Sequence, residues 1–533
     1  MNNAELIVAT LKKAGISHGF GIPSGNVLPV MEAMRTGGVE FVLTAHEGSA
    51  AFAADVMGRM TDRPGVCIAT LGPGATNLTT GVGNAWLDRS PMIAITCNLN
   101  TDQLGRRIQM YIDHHALFAP ITKASFALRH DNVAGPLADA IRIAMTEPRG
   151  PVHLDLPEDV ALAPATEAVP DFGTPEPVFP APRDMIKRAA DMIASAKRPI
   201  AILGSSAMRI DDKDLLRQII EHHQLPFMTT TMAKGLIDDD HPLGLGCIER
   251  ACRQHQRALL RSADLIVGIG YDTIEVEYEA WIGDTPLLQI DIESVDVADS
   301  VQLKLEVIGN LDTALPELLR LDGSKHQWRA GELRKHRQEF DRLLRPKSDL
   351  FTAHQAIDAV RAALPADGIL AFDVGAHTHQ IASQWHSPAP KSFLITNGWS
   401  SMGFGLPAAI AAKLSAPDRP VVCLIGDGCF QMTCGELATA KRLGITLPVV
   451  VLDDRWLGLI RVKQMRRQYG IYGTELQQED YRAPPSHYFG VPAKGVKSKR
   501  ALTQALGKAL AADGPTVIEA LVDSDHYIET VFD

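Results

Sequence analysis

The chain has 533 residues, 46% of them hydrophobic and 22% charged. That is too long for a single core and fits about three globular domains. A net charge of −11 with scattered lysine and arginine excludes nucleic acid or an anionic membrane surface as the natural partner. No apolar stretch approaches the ~20 residues of a membrane span. Met1-Asn2-Asn3-Ala4-Glu5-Leu6 opens an amphipathic helix, so no signal peptide is expected. The seven cysteines, Cys67, Cys97, Cys247, Cys252, Cys423, Cys429 and Cys434, form no CxxC pair, and several lie in apolar strands. Free buried thiols of this kind fit a reducing cytoplasm.

Residues 1–165 alternate strands with helices, the pattern of a parallel sheet covered on both faces. Gly21-Ile22-Pro23-Ser24-Gly25-Asn26 is a loop, and Phe41-Val42-Leu43-Thr44 is a short strand. Glu47 lies just beyond that strand, and Gly48 to Met60 is Ala-rich and helical. A carboxylate at such a junction suits a helix N-terminus, so a solvated cap stands beside any functional role. Val66 to Thr70 is the next strand, and Gly72-Pro73-Gly74-Ala75-Thr76-Asn77 opens the helix after it. Gln109-Met110-Tyr111-Ile112-Asp113 and the pair His114-His115 follow. Pro151 to Pro157 closes this unit. Ala163 to Arg183 is rich in Pro, Glu and Thr and reads as an extended linker.

The second unit, 184–323, is Rossmann-like. Pro199 to Leu203 is a strand entering a Gly204-Ser205-Ser206 turn, and further strands fall at 263–272 and 287–292. It lacks a full GxGxxG. Leu321 to Leu350 reads as a charged connector with an exposed helix.

The third unit, 351–533, holds the most informative segment. Pro420 to Ile425 is a buried strand, followed by Gly426-Asp427-Gly428, a helix from Glu436 to Arg442, and a second strand from Leu447 that ends in Asp453-Asp454. Asp427 and Asp454 therefore stand at the carboxyl ends of two parallel strands, where open α/β sheets hold ligands. Two carboxylates there suit Mg²⁺, which keeps sites for water and substrate phosphates, and the glycine amides can take diphosphate oxygens. The basic cluster Arg461 to Arg467 is a solvated helix face or a rim attracting anionic substrates. His526 to Asp533 forms a short tail near the mouth of the site.

The GDG segment with Asp454, together with Glu47 and GPGATN, resembles the thiamine-diphosphate enzymes of the acetolactate synthase, 2-oxo-acid decarboxylase and benzaldehyde lyase superfamily. The resemblance covers the whole chain. It implies three doubly wound parallel-sheet α/β domains: pyrimidine-binding, central Rossmann-like and diphosphate-binding. It implies Mg²⁺ on Asp427, Asp454 and the carbonyl of Trp456, although the family usually carries Asn at the Asp454 position. Glu47 would hydrogen-bond N1′ of the aminopyrimidine and favour the imino tautomer that activates thiazolium C2. Met402, in Asn397-Gly398-Trp399-Ser400-Ser401-Met402, would prop the cofactor in its bent form. Pro23, Gly375, Ala376, His377, Ser400, Gly426, Gly428, Cys429, Leu457, Gly458 and Leu459 would complete the cofactor site, although Met402 and His377 also suit plain packing and turn roles. Gln109 would point at the reacting carbon. His114-His115 is similar to the paired histidines of pyruvate decarboxylase, with packing or capping as the alternative.

The implied function is a decarboxylating carboligase of 2-oxo acids, similar to acetolactate synthase. A simple decarboxylase or C–C lyase, and a homologue without chemistry, are the alternatives. The Gly21–Asn26 loop lacks the histidine of benzaldehyde lyase, and Lys463 stands where biosynthetic acetolactate synthases carry Trp. The string GYDTIEVEYEAW from Gly270 resembles the FAD-free catabolic synthases, so FAD is not expected. A homodimer at least, and a homotetramer by resemblance, would assemble the site.

Overall fold

The computed structural model describes residues 1–172, 178–276, 281–477 and 486–531. Three parallel sheets organise the chain, each flanked by helices. The first runs in the order Glu40–Leu43, His18–Gly21, Gly65–Thr70, Met92–Asn98, Pro151–Pro157, Ala124–Ala127. Its central strands are buried along their whole length, as parallel strands covered on both faces require. The second carries Leu303–Ile308, Leu287–Asp291, Leu265–Ile269, Pro199–Leu203, Phe227–Thr229 and Gly244–Cys247. The third orders Phe393–Leu394, Ile369–Phe372, Val421–Gly426, Leu447–Asp453, Pro515–Leu521, Val491–Val496 and His487–Tyr488. Its last strand pairs antiparallel, so this sheet is parallel with one reversed edge.

The outer sheets meet through helices Glu47–Thr61 and Gly405–Ser415. Both are rich in alanine and glycine, which lets their axes approach closely. Phe52 meets Phe404 edge-on at 5.6 Å, inside one apolar cluster shared by the two domains. A buried clamp seals the same boundary. Arg59 pairs with Asp55 and Asp88 at 2.6 and 2.8 Å and donates to the carbonyl of Ile395. Asp88 in turn accepts from the amides of Asn397 and Gly398. The segment leading to Met402 is thereby fastened to the N-terminal domain.

Two local expectations change. The stretch after Gly426 is no open turn: Asp427–Thr433 is a short helix, so Asp427 is its first residue. The helix Ala330–Leu343 within the charged connector buries Leu333, His336 and Phe340 against the central domain, so only part of it faces solvent. Residues 277–280 of the string GYDTIEVEYEAW and 173–177 of the linker lie outside the described residues, as do 532–533 of the tail. No described helix is long and apolar enough to cross a membrane. None of the seven cysteines forms a disulfide.

Candidate active site

Strands Val421–Gly426 and Leu447–Asp453 are adjacent and parallel, with Gly426 level with Leu452. Their ends bring Asp427 beside Asp453 and Asp454. Asp427 accepts from the Gly428 amide through Oδ1 and from the Arg455 amide through Oδ2, each at 2.8 Å. Asp454 accepts from the Trp456 amide at 2.9 Å. Burial and then the Asp454 and Asp453 charges push the Asp427 carboxyl upward. Burial does the same to Asp454. Acidic groups gathered this deeply are relieved by taking up protons or by a cation. Among the described residues no three His, Cys, Asp or Glu side chains could hold a metal by themselves. A hard cation kept by two carboxylates, a carbonyl, water and phosphate matches that donor set.

Around this turn the structure gathers most of the expected cofactor residues. A Cβ on Gly428 would stand 3.1 Å from Leu457 and 3.2 Å from the Met402 methyl, so both side chains pack closely on this glycine. At Gly458 the neighbours are Asp454, Ala376 and Tyr527. The His377 ring covers Gly375 and Gly426, where a Cβ would meet it at 2.7 and 2.8 Å. Burial lowers His377 to about 4, and its Nε2 is buried without a partner. Its unused nitrogen lies at a glycine-lined turn, and it can donate to a diphosphate oxygen only in the form that carries a proton on Nε2. Cys429 donates to the Val374 carbonyl at 3.0 Å. Gly375, Ser400 and Leu459 line one cavity of about 760 Å³ between the central and C-terminal domains.

In the N-terminal domain, Glu47 is the first residue of its helix and 9% exposed. Asn77 donates to its Oε2 at 2.9 Å, and a Cβ on Gly74 would stand 3.4 Å from its Oε1. The GPGATN turn therefore faces this carboxylate. Gly72 adopts φ +57°, which suits glycine, and a Cβ there would strike the Met110 carbonyl at 2.3 Å. Pro23 and Gln109 are exposed on loops.

His114 does not face open space. Its side chain is fully buried. Nδ1 meets Asp155 at 3.1 Å and Thr96 at 2.9 Å, while Nε2 accepts from the Gly72 amide at 3.3 Å. Asn98 also donates to Asp155, at 3.0 Å. Burial pushes Asp155 up, but the His114 and Asn98 hydrogen bonds and the nearby histidine charges outweigh it and hold the carboxyl below its usual range. His115 reaches Ser125 at 2.6 Å, and Ser125 reaches His153 at 2.7 Å.

Three residues with no expected role belong here. Asp373, fully buried, accepts from the amides of Val374, Gly403 and Gly405, bracing the His377 turn against the Met402 segment. Tyr527 sits in the tail within reach of Gly458, and burial followed by the Asp454 and Asp427 charges raises its hydroxyl. Glu436 joins the two domains at Ala45 and His46. Their sequence signals were weak: an aspartate at a strand end, and a helix-opening glutamate that resembles any solvated cap.

The fold and these two half-sites define a thiamine-diphosphate-binding α/β enzyme. Family profiles agree along the chain. "Thiamine pyrophosphate enzyme, N-terminal TPP binding domain" matches residues 1–117, the central domain of the same family matches 186–318, and its C-terminal TPP binding domain matches 373–520. The chain is 31% identical to the "Probable acetolactate synthase large subunit" of Methanococcus aeolicus, covering 100% of this chain and 94% of that protein. It is 30% identical to the "Acetolactate synthase isozyme 2 large subunit" of Escherichia coli (strain K12), over 98% and 96%. The "Acetolactate synthase" of Bacillus subtilis (strain 168) is likewise 30% identical, over 99% and 95%. The chain belongs to the thiamine-diphosphate-dependent enzymes of the acetolactate synthase superfamily.

Proposed function

We propose that this enzyme is a decarboxylating carboligase that joins a 2-oxo acid to a second carbonyl compound, with Mg²⁺ and thiamine diphosphate as cofactors. The observation that carries carboligation over simple decarboxylation is the engagement of His114. A decarboxylase needs a proton donor beside the reacting carbon, and histidine is the usual choice. Here both ring nitrogens are occupied inside the N-terminal domain, so His114 acts as a positioning residue that holds the Gly72 turn.

Bound thiamine diphosphate supplies the electron sink for the 2-oxo acid carbon. The chain's residues do the rest. Asp427, Asp454 and the Trp456 carbonyl hold the metal, and the Gly426 to Cys429 turn, Gly375 to His377, Ser400 and Gly458 receive the diphosphate. Met402, Leu457 and Leu459 give the cofactor apolar walls that exclude water. Glu47 keeps a proton at the pyrimidine N1′ atom. Gln109 orders the second carbonyl, and exposed in one chain, it meets its substrate in the assembled dimer or tetramer.

FAD is not part of this proposal. The Ser205 amide, at the turn where a dinucleotide phosphate would sit, donates to both oxygens of Glu275 at 2.9 and 3.0 Å. An internal carboxylate already occupies that cradle. Cysteines held outside any disulfide support a cytoplasmic enzyme.

Incubation of the loaded enzyme with pyruvate and a panel of 2-oxo acids, with and without aldehyde acceptors, tests the proposal by NMR of the products. Acetolactate or another acyloin is expected. Free aldehyde as the sole product, abolished by His114→Ala, would reverse the choice.

A further inference from the structure

Glu436 is 1% exposed and touches neither the metal turn nor the cavity. It opens helix Glu436–Arg442, and one face of that helix meets the N-terminal domain. Glu436 Oε1 accepts from the backbone amides of Ala45 and His46 at 2.9 and 3.2 Å. Thr439 donates to Glu436 Oε2 at 2.8 Å and to the Leu43 carbonyl at 3.3 Å. Arg442 donates to the same carbonyl at 2.6 Å. Residues 436, 439 and 442 share a face because three positions make nearly one helical turn. The approach depends on Gly435, where even a Cβ would stand 3.2 Å from the Ala45 methyl.

The two amides that Glu436 binds lie in the turn that enters Glu47. Four groups donate to the Glu436 carboxylate: the backbone amides of Ala45 and His46, which can only donate, and the hydroxyls of Thr439 and Ser49. A carboxylate accepts from all of them, whereas an amide would turn its own NH₂ toward some. Glu47 is thus held twice: its side chain by Asn77 and its backbone by Glu436.

We propose that Glu436 is a positioning residue for Glu47, a buried carboxylate of the C-terminal domain that sets the strand-to-helix junction from which Glu47 reaches the pyrimidine. This rests on the role of Glu47 proposed above. A displacement near 1 Å at a reacting group slows a step by on the order of 100-fold, so the junction's register governs the rate without contributing an atom to the chemistry.

Three readouts on the full chain test it. The first is amide hydrogen exchange at Ala45 and His46 without cofactor. The second is affinity for thiamine diphosphate with Mg²⁺, and the third is deuterium exchange at C2 of the bound cofactor, followed by quenched-flow NMR. Glu436→Gln is expected to speed exchange of the two amides by ~10-fold or more, since it removes a charge-assisted bond worth ~1.5–3 kcal/mol. It should leave affinity within ~3-fold and slow C2 exchange by ~100-fold. Arg442→Ala, which removes the bonds to the Leu43 carbonyl and Thr439 but leaves those of Glu436 to Ala45 and His46, should leave C2 exchange within ~3-fold of the parent. Glu436→Gln with parental amide protection or parental C2 exchange would overturn the proposal. If Glu436→Gln does not fold, Glu436→Asp decides by the same readouts: one methylene short, it is expected to slow C2 exchange, and a parental rate overturns the idea. If the parent binds cofactor without accelerating C2 exchange, the role of Glu47 itself fails and this proposal falls with it.

Discussion

Two buried aspartates, both at the carboxyl ends of parallel strands, live in opposite surroundings. Asp155 is met by His114 and Asn98, and its carboxyl is held below the usual range despite its burial. Asp427 is met by two backbone amides but also by two more aspartates, and its carboxyl is pushed upward. The first carboxylate is finished by the chain itself. The second is left with like charges beside it, and a cation is proposed to complete it. Buried charge that the fold has compensated builds structure, whereas buried charge left uncompensated marks a place where a ligand completes the protein.

The largest effect expected from this contrast is at Asp427. Asp427→Ala should abolish measurable binding of thiamine diphosphate with Mg²⁺ by calorimetry, a loss of at least ~10³-fold or ~4 kcal/mol. The cofactor-free variant should melt no lower than the parent, because the change also removes charge repulsion. A clear fall in its stability would break the comparison. Asp155→Ala should do the reverse. It leaves His114 and Asn98 without their acceptor and should lower the stability of the N-terminal domain by ~3 kcal/mol in urea, with cofactor affinity falling only as that domain unfolds.

Glu47→Gln lies between the two. The amide can still meet Asn77 but holds N1′ weakly. Cofactor affinity should be nearly retained and C2 exchange slowed by ~100-fold; near-parental exchange would remove Glu47 from the mechanism.

The smallest effect concerns His153, which stacks on Phe118 at 4.3 Å within the Asp155 network. Burial lowers its pKa to about 3 from the usual 6.5, with Asp155 opposing. A base so depressed takes its proton first in the unfolded chain. Its contribution is therefore intact above pH ~6.5 and lost as pH falls from there toward ~3, by at most ~1.4 kcal/mol per pH unit. In His153→Phe the fall of urea midpoints over that window should be shallower by one proton's share. An unchanged slope would contradict the assignment.

Much of the C-terminal half was legible in sequence, because it rests on local signals. The apolar run 420–425, the glycines of GDG and the aspartates after Leu452 placed the two adjacent strand ends correctly, and only the helical start at Asp427 escaped, since two glycines near the front of a helix read as a turn. The N-terminal half was less legible. Its polar groups are joined across long separations: His114 to Asp155, Glu436 to Ala45, Asp88 to Asn397. No spacing rule reports such pairs. His114 drew attention as half of a histidine pair, yet its direction depends on which strand lies beneath it. Glu436 drew none, and Asp373 only as the start of the turn that runs to His377, because a glutamate opening a helix and an aspartate ending a strand are ordinary until the amides they face are known.

The account stands on one claim above the rest, that the cluster at Asp427 and Asp454 is a metal–diphosphate site completed by Mg²⁺ and thiamine diphosphate. Thermal unfolding of the chain purified without cofactor, repeated with Mg²⁺ alone, thiamine diphosphate alone and both together, measures it directly. A ligand present at ~100 times its dissociation constant adds ~2.7 kcal/mol to the folded state. The account predicts a rise of several degrees with both together and little with either alone, and loss of that rise in Asp427→Ala. An unchanged transition at saturating concentrations of both would contradict it.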